Sequence, residues 1–184
     1  MCIRDRQYIQ IETTGDSVDF GDLVTGSGYK RGTASRTRGL YSGGWEPAAS
    51  ATDIEYITIS STGNAIAFGQ CTGGTQASNG ACSETRAIVH AGGAVPGGSN
   101  TNAIQYVTIS HTGNAIDFGN LTESTRGTCA VSSILRIVRT GGYVEQSTMD
   151  YVEIATTGNA VDFGNLVTAK RHCSGLSNGH GGLG

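Results

Sequence analysis

Tyr56-Ile-Thr-Ile-Ser-Ser-Thr-Gly-Asn-Ala-Ile-Ala-Phe-Gly69 is the second of four copies of one segment in this chain. The others run from Tyr8 to Gly21, Tyr106 to Gly119 and Tyr151 to Gly164, and the closing glycines lie 48, 50 and 45 residues apart. Self-similarity at that period marks a supersecondary unit that buries its apolar faces against copies of itself. Within the segment Ile57 and Ile59 fall on one face while Tyr56, Thr58 and Ser60 take the other, the period-two pattern of a strand. Thr62-Gly63-Asn64-Ala65 places Gly-Asn where a two-residue hairpin needs positive φ. Beyond the turn Ile66 and Phe68 share one face and Ala65 and Ala67 the other, and a one-residue slip would reverse them all. The segment reads as a β-hairpin.

A second element recurs between the hairpins: Arg38-Gly-Leu-Tyr-Ser-Gly-Gly44, Arg86-Ala-Ile-Val-His-Ala-Gly-Gly93 and Arg136-Ile-Val-Arg-Thr-Gly-Gly142. Each is a strand with a branched or aromatic centre that ends in a glycine doublet. A shorter strand around Gly80–Ser83 and Thr128–Ser132 is expected before it. The unit therefore has four strands, with Gly-Gly after the second.

The composition suits such a chain. Among 184 residues, 29 are glycine and two are proline, which fits many tight turns. Hydrophobic content of 37% and charged content of 15% favour an ordered β-rich protein over a disordered one. A net charge of −3 with scattered basic residues offers no footprint for nucleic acid. No apolar run approaches the roughly 18 residues that a membrane-spanning helix needs, so no membrane insertion is expected. Of the five cysteines, Cys82, Cys129 and Cys173 follow their motif phenylalanines by 14, 11 and 10 residues and read as one repeat position. Cys71 stands apart. No Cys-x-x-Cys pair occurs, so free or buried thiols are expected in place of zinc or a disulfide framework. Residues 1–6, Met-Cys-Ile-Arg-Asp-Arg, fall outside the repeat and resemble translated sequencing adapter, so the expected native segment is 7–184.

The strand order resembles the kelch-type repeat, with a second strand ending in Gly-Gly, an aromatic in the third and a large aromatic in the fourth. Leu23, Leu121 and Leu166, and Arg126 and Arg171 five residues beyond the last two, match its leucine and basic positions. Phenylalanine stands where that repeat has tryptophan, and the second copy has Gln70-Cys71 in place of Asn/Asp-Leu. The resemblance implies an all-β fold, a β-propeller of kelch-like four-stranded blades whose edges are shielded by their neighbours. About four blade equivalents are then present. The chain opens on strands three and four of one blade, passes through three full blades and ends on strand one or two of another. It reads as a fragment of a longer array. The wording Tyr-[Ile/Val]-Thr-Ile-x-x-Thr-Gly-Asn-Ala-x-Asp-Phe-Gly further resembles repeats in structural or tail-associated proteins of marine tailed phages.

Several residues invite a chemical reading. Asp19, Asp117 and Asp162 precede the motif phenylalanine, but no dense oxygen-ligand run surrounds them and Ala67 replaces the acid in the second copy. They read as edge charges that discourage strand pairing. Arg38, Arg86 and Arg136 either face a central channel or pair with acids or carbonyls of a neighbouring blade, and the structural role is the expectation. His90, His111, His172 and His180 occupy unmatched repeat positions without metal-ligand spacing. No Gly-x-Ser-x-Gly elbow is present. The sequence thus predicts no catalytic residue, no metal site and no cofactor.

Recognition is expected on the loops that depart from the repeat, Trp45 to Asp53, Ala94 to Asn102 and Tyr143 to Ser147. Trp45 can stack on a sugar ring while Glu46 accepts its hydroxyls, with Tyr143 and Glu145 in the corresponding place two units on. Packing against the next blade is the competing role for both aromatics. The expected function is a non-catalytic structural or binding module, a phage virion tail or fibre component whose partners are a host-surface glycan or protein, or other virion proteins. The alternative is a secreted or intracellular kelch-like propeller acting as an adaptor or as part of a sugar-acting enzyme.

Overall fold

The computed structural model describes residues 3–46, 49–93 and 99–175, with the backbone alone at 3, 46, 49–50 and 90–93. It is all-β, and no helix occurs among the described residues. Strands β1 (Ile3–Tyr8) and β2 (Val18–Ser27) form a two-stranded sheet. Three four-stranded antiparallel meanders follow. The first contains β3 (Arg31–Ala34), β4 (Arg38–Ser42), β7 (Asp53–Thr58) and β8 (Ile66–Gln70). A small hairpin, β5 (Trp45–Glu46) with β6 (Ala49–Ser50), interrupts it. The middle meander contains β9 (Asn79–Cys82), β10 (Arg86–Gly93), β11 (Asn100–Thr108) and β12 (Ile116–Thr125). The last contains β13 (Cys129–Ser132), β14 (Arg136–Thr140), β15 (Gln146–Glu153) and β16 (Val161–Lys170). The four-strand unit and its order are those that the repeat predicts. Residues 100–102, 146 and 147, read from sequence as loop, belong to β11 and β15. His180 and residues 94–98 lie outside the described residues.

The core lies between sheets. Leu40, Ile54 and Phe68 of the first meander pack against Cys82, Ala87, Val107 and Ile109 of the middle one. The middle meander's other face, Ala81, Ile88, Ile104 and Phe118, meets Ala130, Ile137, Val152 and Ile154 of the last. Both faces of the middle sheet are covered, which explains the unbroken run Ala87-Ile88-Val89 on β10. Neighbouring sheets touch most closely through their first strands, β3 beside β9 and β9 beside β13. Polar bonds join those strands: Asn79 Nδ2 donates to the Thr128 carbonyl at 2.8 Å, and Arg31 Nε to the Ser78 carbonyl at 3.0 Å.

The Phe-Gly of every copy is a β-bulge. In the second copy Glu55 pairs with Ala67 and Ile54 with Gly69, so Phe68 is the extra residue. The same shift recurs at Phe20, Phe118 and Phe163. A bulge re-aims its side chain. Here Phe68 is 4% exposed, whereas Ile66 is open to solvent. The simple alternation expected across Ile66 and Phe68 therefore fails, because the bulge breaks the period of two. Each phenylalanine also meets the tyrosine of its own copy edge to face, at centroid distances of 5.8 to 6.1 Å. Such a pair contributes about 0.5–1.5 kcal/mol beyond area burial.

The Thr-Gly-Asn turn also differs from the two-residue hairpin that the sequence suggests. Seven residues, 59–65, separate β7 from β8, and their polar groups turn toward the neighbouring sheet. Gly63 N donates to the Phe20 carbonyl at 2.7 Å and Ala65 N to the Asp22 carbonyl at 2.8 Å. Asn64 Oδ1 accepts from Asp22 N at 2.9 Å. The third and fourth copies repeat this set. Gly113 and Ala115 donate to Phe68 and Gln70 while Asn114 Oδ1 accepts from Gln70 N, and Gly158, Ala160 and Asn159 do the same to Phe118 and Asn120. The turn is a clasp between sheets.

At the other end of the repeat, Arg6 stands where later copies have Ile54, Ile104 and Met149. It is buried, donates to the carbonyls of Asp22 and Gly63 through Nη2, leaves Nε and Nη1 without hydrogen-bond partners, and lies 5.1 and 5.8 Å from the ring centroids of Phe20 and Tyr41.

Candidate functional site

The loops between second and third strands rest on the preceding connection between units. Trp45 N donates to the Gly28 carbonyl at 2.6 Å and Gly28 N to the Trp45 carbonyl at 2.9 Å. Two units on, Tyr143 N donates to the Arg126 carbonyl at 2.8 Å. Trp45 and Tyr143 thus occupy one repeat slot, as the sequence expects. The glycine doublets before them permit this fold-back. Gly43 and Gly44 have φ of +60° and +120°, and a Cβ on them would fall 2.0 Å from Thr75 Oγ1 and 2.6 Å from Ser27 Oγ. No other residue tolerates both the conformation and the contact.

The side chains in that slot differ in company. Tyr143 is half-buried with the Arg126 and Arg171 guanidinium carbons 4.4 and 5.4 Å from its ring centroid. Arg171 also pairs with Glu145 at 3.1 Å, so Tyr143 and Glu145 belong to one exposed cluster. Trp45, also half-buried, lies on the β5–β6 hairpin of a different sheet, and the Glu46 side chain lies outside the described residues. The two halves of the expected site are two units apart.

The repeated arginines have structural partners. Arg38 and Arg86 lie 4.7 and 4.8 Å from the ring centroids of Tyr56 and Tyr106 in their own sheets. Their Nη1 atoms donate at 2.8 Å to the carbonyls of Ile109 and Ile154 in the next sheet. Arg136, with no described sheet beyond it, pairs with Glu153 at 2.5 Å. Asp19 accepts from Gly21 N at 3.0 Å, across its own bulge.

A buried polar position went unread in the sequence. The residue before the second, third and fourth motif tyrosines, Glu55, Gln105 or Asp150, sends an acceptor into the sheet before it. Glu55 accepts from Val24 N and Thr25 N at 2.8 and 3.0 Å, and Lys30 neutralises it at 2.5 Å. Gln105 accepts from Thr72 N at 2.7 Å. Asp150 accepts from Thr122 N and Oγ1 at 3.0 and 2.7 Å. It is also bound twice by the fully buried Arg139, at 2.9 and 2.6 Å. Burial works to raise the Asp150 pKa, but the bonds from Arg139 and Thr122 and the Arg139 charge outweigh it and hold the pKa below the usual carboxylate range. The signal was present as a side-chain acceptor (Glu, Gln or Asp) immediately before the motif tyrosine. These groups bind the scaffold to itself.

A cleft of about 590 Å³ opens between the first strands, lined among others by Arg31, Thr33, Asn79, Ala130 and Cys173. Its polar side chains Arg31 and Asn79 are already bound to backbone carbonyls. Cys71, Cys82 and Cys129 are buried free thiols. Burial pushes Cys71 up to about 11 and raises Cys82 and Cys129, which keeps them as unreactive thiols near neutral pH. Cys82 and Cys129 do not share a repeat position: Cys82 pairs with Ala87, the place of Ser132 opposite Ile137, whereas Cys129 pairs with Thr140. The uneven unit lengths misled the count from phenylalanine. Among the described residues no three His, Cys, Asp or Glu side chains converge on a metal-sized site. In comparison with known proteins, no family model and no curated relative matches the chain.

Proposed function

We propose that the chain forms successive blades of a kelch-type β-propeller and acts as a non-catalytic structural or binding module, a tail or fibre component of a phage virion that recognises a host-surface glycan. Adjacent first strands and one four-strand meander per unit support the blade reading, because sheets stacked about a common inner edge converge in this way. The virion assignment rests on the wording of the Tyr-to-Phe-Gly repeat. The observation that carries the binding reading is the β5–β6 hairpin. Among the described residues it has no counterpart in the other units, and it bears the only tryptophan of the chain. A loop that departs from the repeat on a rigid frame is a favourable place for recognition, which supports this reading.

The test is binding of the protein to host cells and to an array of their surface glycans, with Trp45→Ala and Tyr143→Ala beside it. Binding that falls at least about tenfold (about 1.4 kcal/mol) with the unfolding midpoint retained supports the reading. No binding by the wild type, together with variants that merely lower stability, sinks it.

A further inference from the structure

Four residues in the connections between units, Tyr29, Ala77, Gly127 and His172, share a φ between +51° and +62° and mark equivalent places in the repeat. Gly127 N donates to the Ala77 carbonyl at 2.9 Å, and His172 N to the Gly127 carbonyl at 2.7 Å. Residues 172–175 thus lie beside β13 as β13 lies beside β9. Counted from these marks, the second residue of one strand reaches the first residue of the next. Arg31 Nε donates to the Ser78 carbonyl at 3.0 Å, and Asn79 Nδ2 to the Thr128 carbonyl at 2.8 Å. At the third boundary those two places hold Cys129 and Cys173. Counting from phenylalanine put both at one repeat position, whereas they are neighbours across a boundary.

Both side chains turn into that boundary. A Cβ on Gly175 would stand 2.9 Å from Cys129 Sγ, so the Cys129 thiol lies against the 173–175 run. Cys173, two residues before Gly175, takes the same side of an extended chain. The corresponding strands face the same way. Cys82 Sγ donates to the Ala34 carbonyl at 2.8 Å and Ser132 Oγ to the Cys82 carbonyl at 3.2 Å, each toward the preceding sheet. Ser78 and Thr128, the counterparts of Cys173, stand four residues before them on the same side. The two thiols also feel each other's charge: burial chiefly raises the Cys129 pKa, and a charged Cys173 raises it further. Both are free in the structure.

We propose that Cys129 and Cys173 form a disulfide under oxidising conditions, a covalent bond where the two earlier boundaries have a hydrogen bond. The oxidant is a small disulfide such as oxidised glutathione. The Cys173 thiolate attacks one of its sulfurs and releases one glutathione thiolate. The Cys129 thiolate then attacks Cys173 Sγ and releases the second. Two electrons pass to the oxidant, and the two protons lost by the protein thiols end on two glutathione molecules. Because burial keeps Cys129 protonated near neutral pH, the second exchange is slow there and quickens as pH rises. The cysteines are 44 residues apart, so the bond restricts a long loop of the unfolded chain and ties residues 172–175 to β13.

The experiment takes the full chain, reduced and then transferred to buffers of rising oxidised-to-reduced glutathione ratio. Remaining thiols are blocked with iodoacetamide in denaturant before non-reducing tryptic digestion. The expected product is peptide 127–136 linked to peptide 172–184, two hydrogens lighter than their sum, with Cys71 and Cys82 blocked in the separate peptide 39–86. The same oxidation should raise the thermal unfolding midpoint of the wild type by about 5–10 °C and leave that of Cys173→Ser unchanged. Equal midpoints of the two reduced proteins establish that the variant folds. A native wild type that keeps both thiols, or stops at a mixed disulfide with glutathione, overturns the inference. So does a link from Cys173 to Cys2, Cys71 or Cys82, a link between two chains, or one that forms only in denaturant.

Discussion

The middle and last sheets carry nearly the same motif and live in different surroundings. Tyr106 to Gly119 and Tyr151 to Gly164 differ at only four of fourteen positions. Yet Phe118 is buried and Phe163 lies half open, and Gly119 is capped by Gly158 while Gly164 faces space. The intrasheet features are equal in both: the bulge, the positive φ and the Tyr–Phe edge contact. The motif therefore builds its bulge from local sequence, and the energetic value of that bulge is set by the sheet that lies on it.

The sharpest way to break this comparison is Phe118→Ala against Phe163→Ala. The first empties a filled interface and is expected to cost about 3–5 kcal/mol, the second under about 1 kcal/mol, read from urea unfolding of the two variants. Equal losses would mean that the open face is not open in solution. The polar pair Gln105 and Asp150 comes next. Asp150→Ala removes two of the bonds to the buried Arg139 guanidinium, which keeps only Glu123 and the Gly141 carbonyl, and is expected to cost about 3 kcal/mol, whereas Gln105→Ala leaves a neutral amide unpaired and costs about 1 kcal/mol.

The carboxylate also sets a pH dependence. Because its folded pKa lies below the unfolded value of about 3.9, its contribution is whole above that pH and is lost as pH falls through the folded pKa. Asp150→Asn should flatten the fall of the urea midpoint on acidification below about pH 4, and an unchanged slope would contradict the assignment.

Gly119→Ala against Gly164→Ala separates contact from conformation. Both pay for a positive φ, but only Gly119→Ala also drives a methyl into Gly158, so it should be the worse by about 2 kcal/mol in thermal unfolding. The smallest effect concerns a position that repeats in conformation alone. Tyr29, Ala77, Gly127 and His172 all have φ between +51° and +62° in the connection between units. Tyr29 is exposed, so Tyr29→Gly, which supplies the residue found at 127, should raise stability by at most about 1 kcal/mol. A loss of stability would mean that the tyrosine ring has a packing role.

Much of the fold was legible because the repeat samples the same local rules four times. The four-strand unit, the glycine doublet and the shared slot of Trp45 and Tyr143 all follow from pattern. The candidate site was legible only as a place. That Tyr143 already carries two guanidinium groups, and that Glu145 answers Arg171, depends on Arg126 and Arg171 arriving from two different sheets. The Thr-Gly-Asn turn shows the limit most clearly. A Gly-Asn pair between two strands has the local look of a hairpin turn, and nothing nearby in sequence says that its amides serve another sheet.

What the sequence by itself determined is the unit: four strands in order, the glycine doublet after the second and a turn within each Tyr-to-Phe-Gly segment, all of which follow from a pattern of residues close together in the chain. The tertiary structure decided which copies of that unit are interior. Burial of Phe68 and Phe118, the clasps of Asn64, Asn114 and Asn159, and the acceptor role of Glu55, Gln105 and Asp150 each require a partner some 30 to 50 residues away. Apolar burial and hydrogen bonding are properties of contact, and a repeated segment acquires them only where another copy is laid against it.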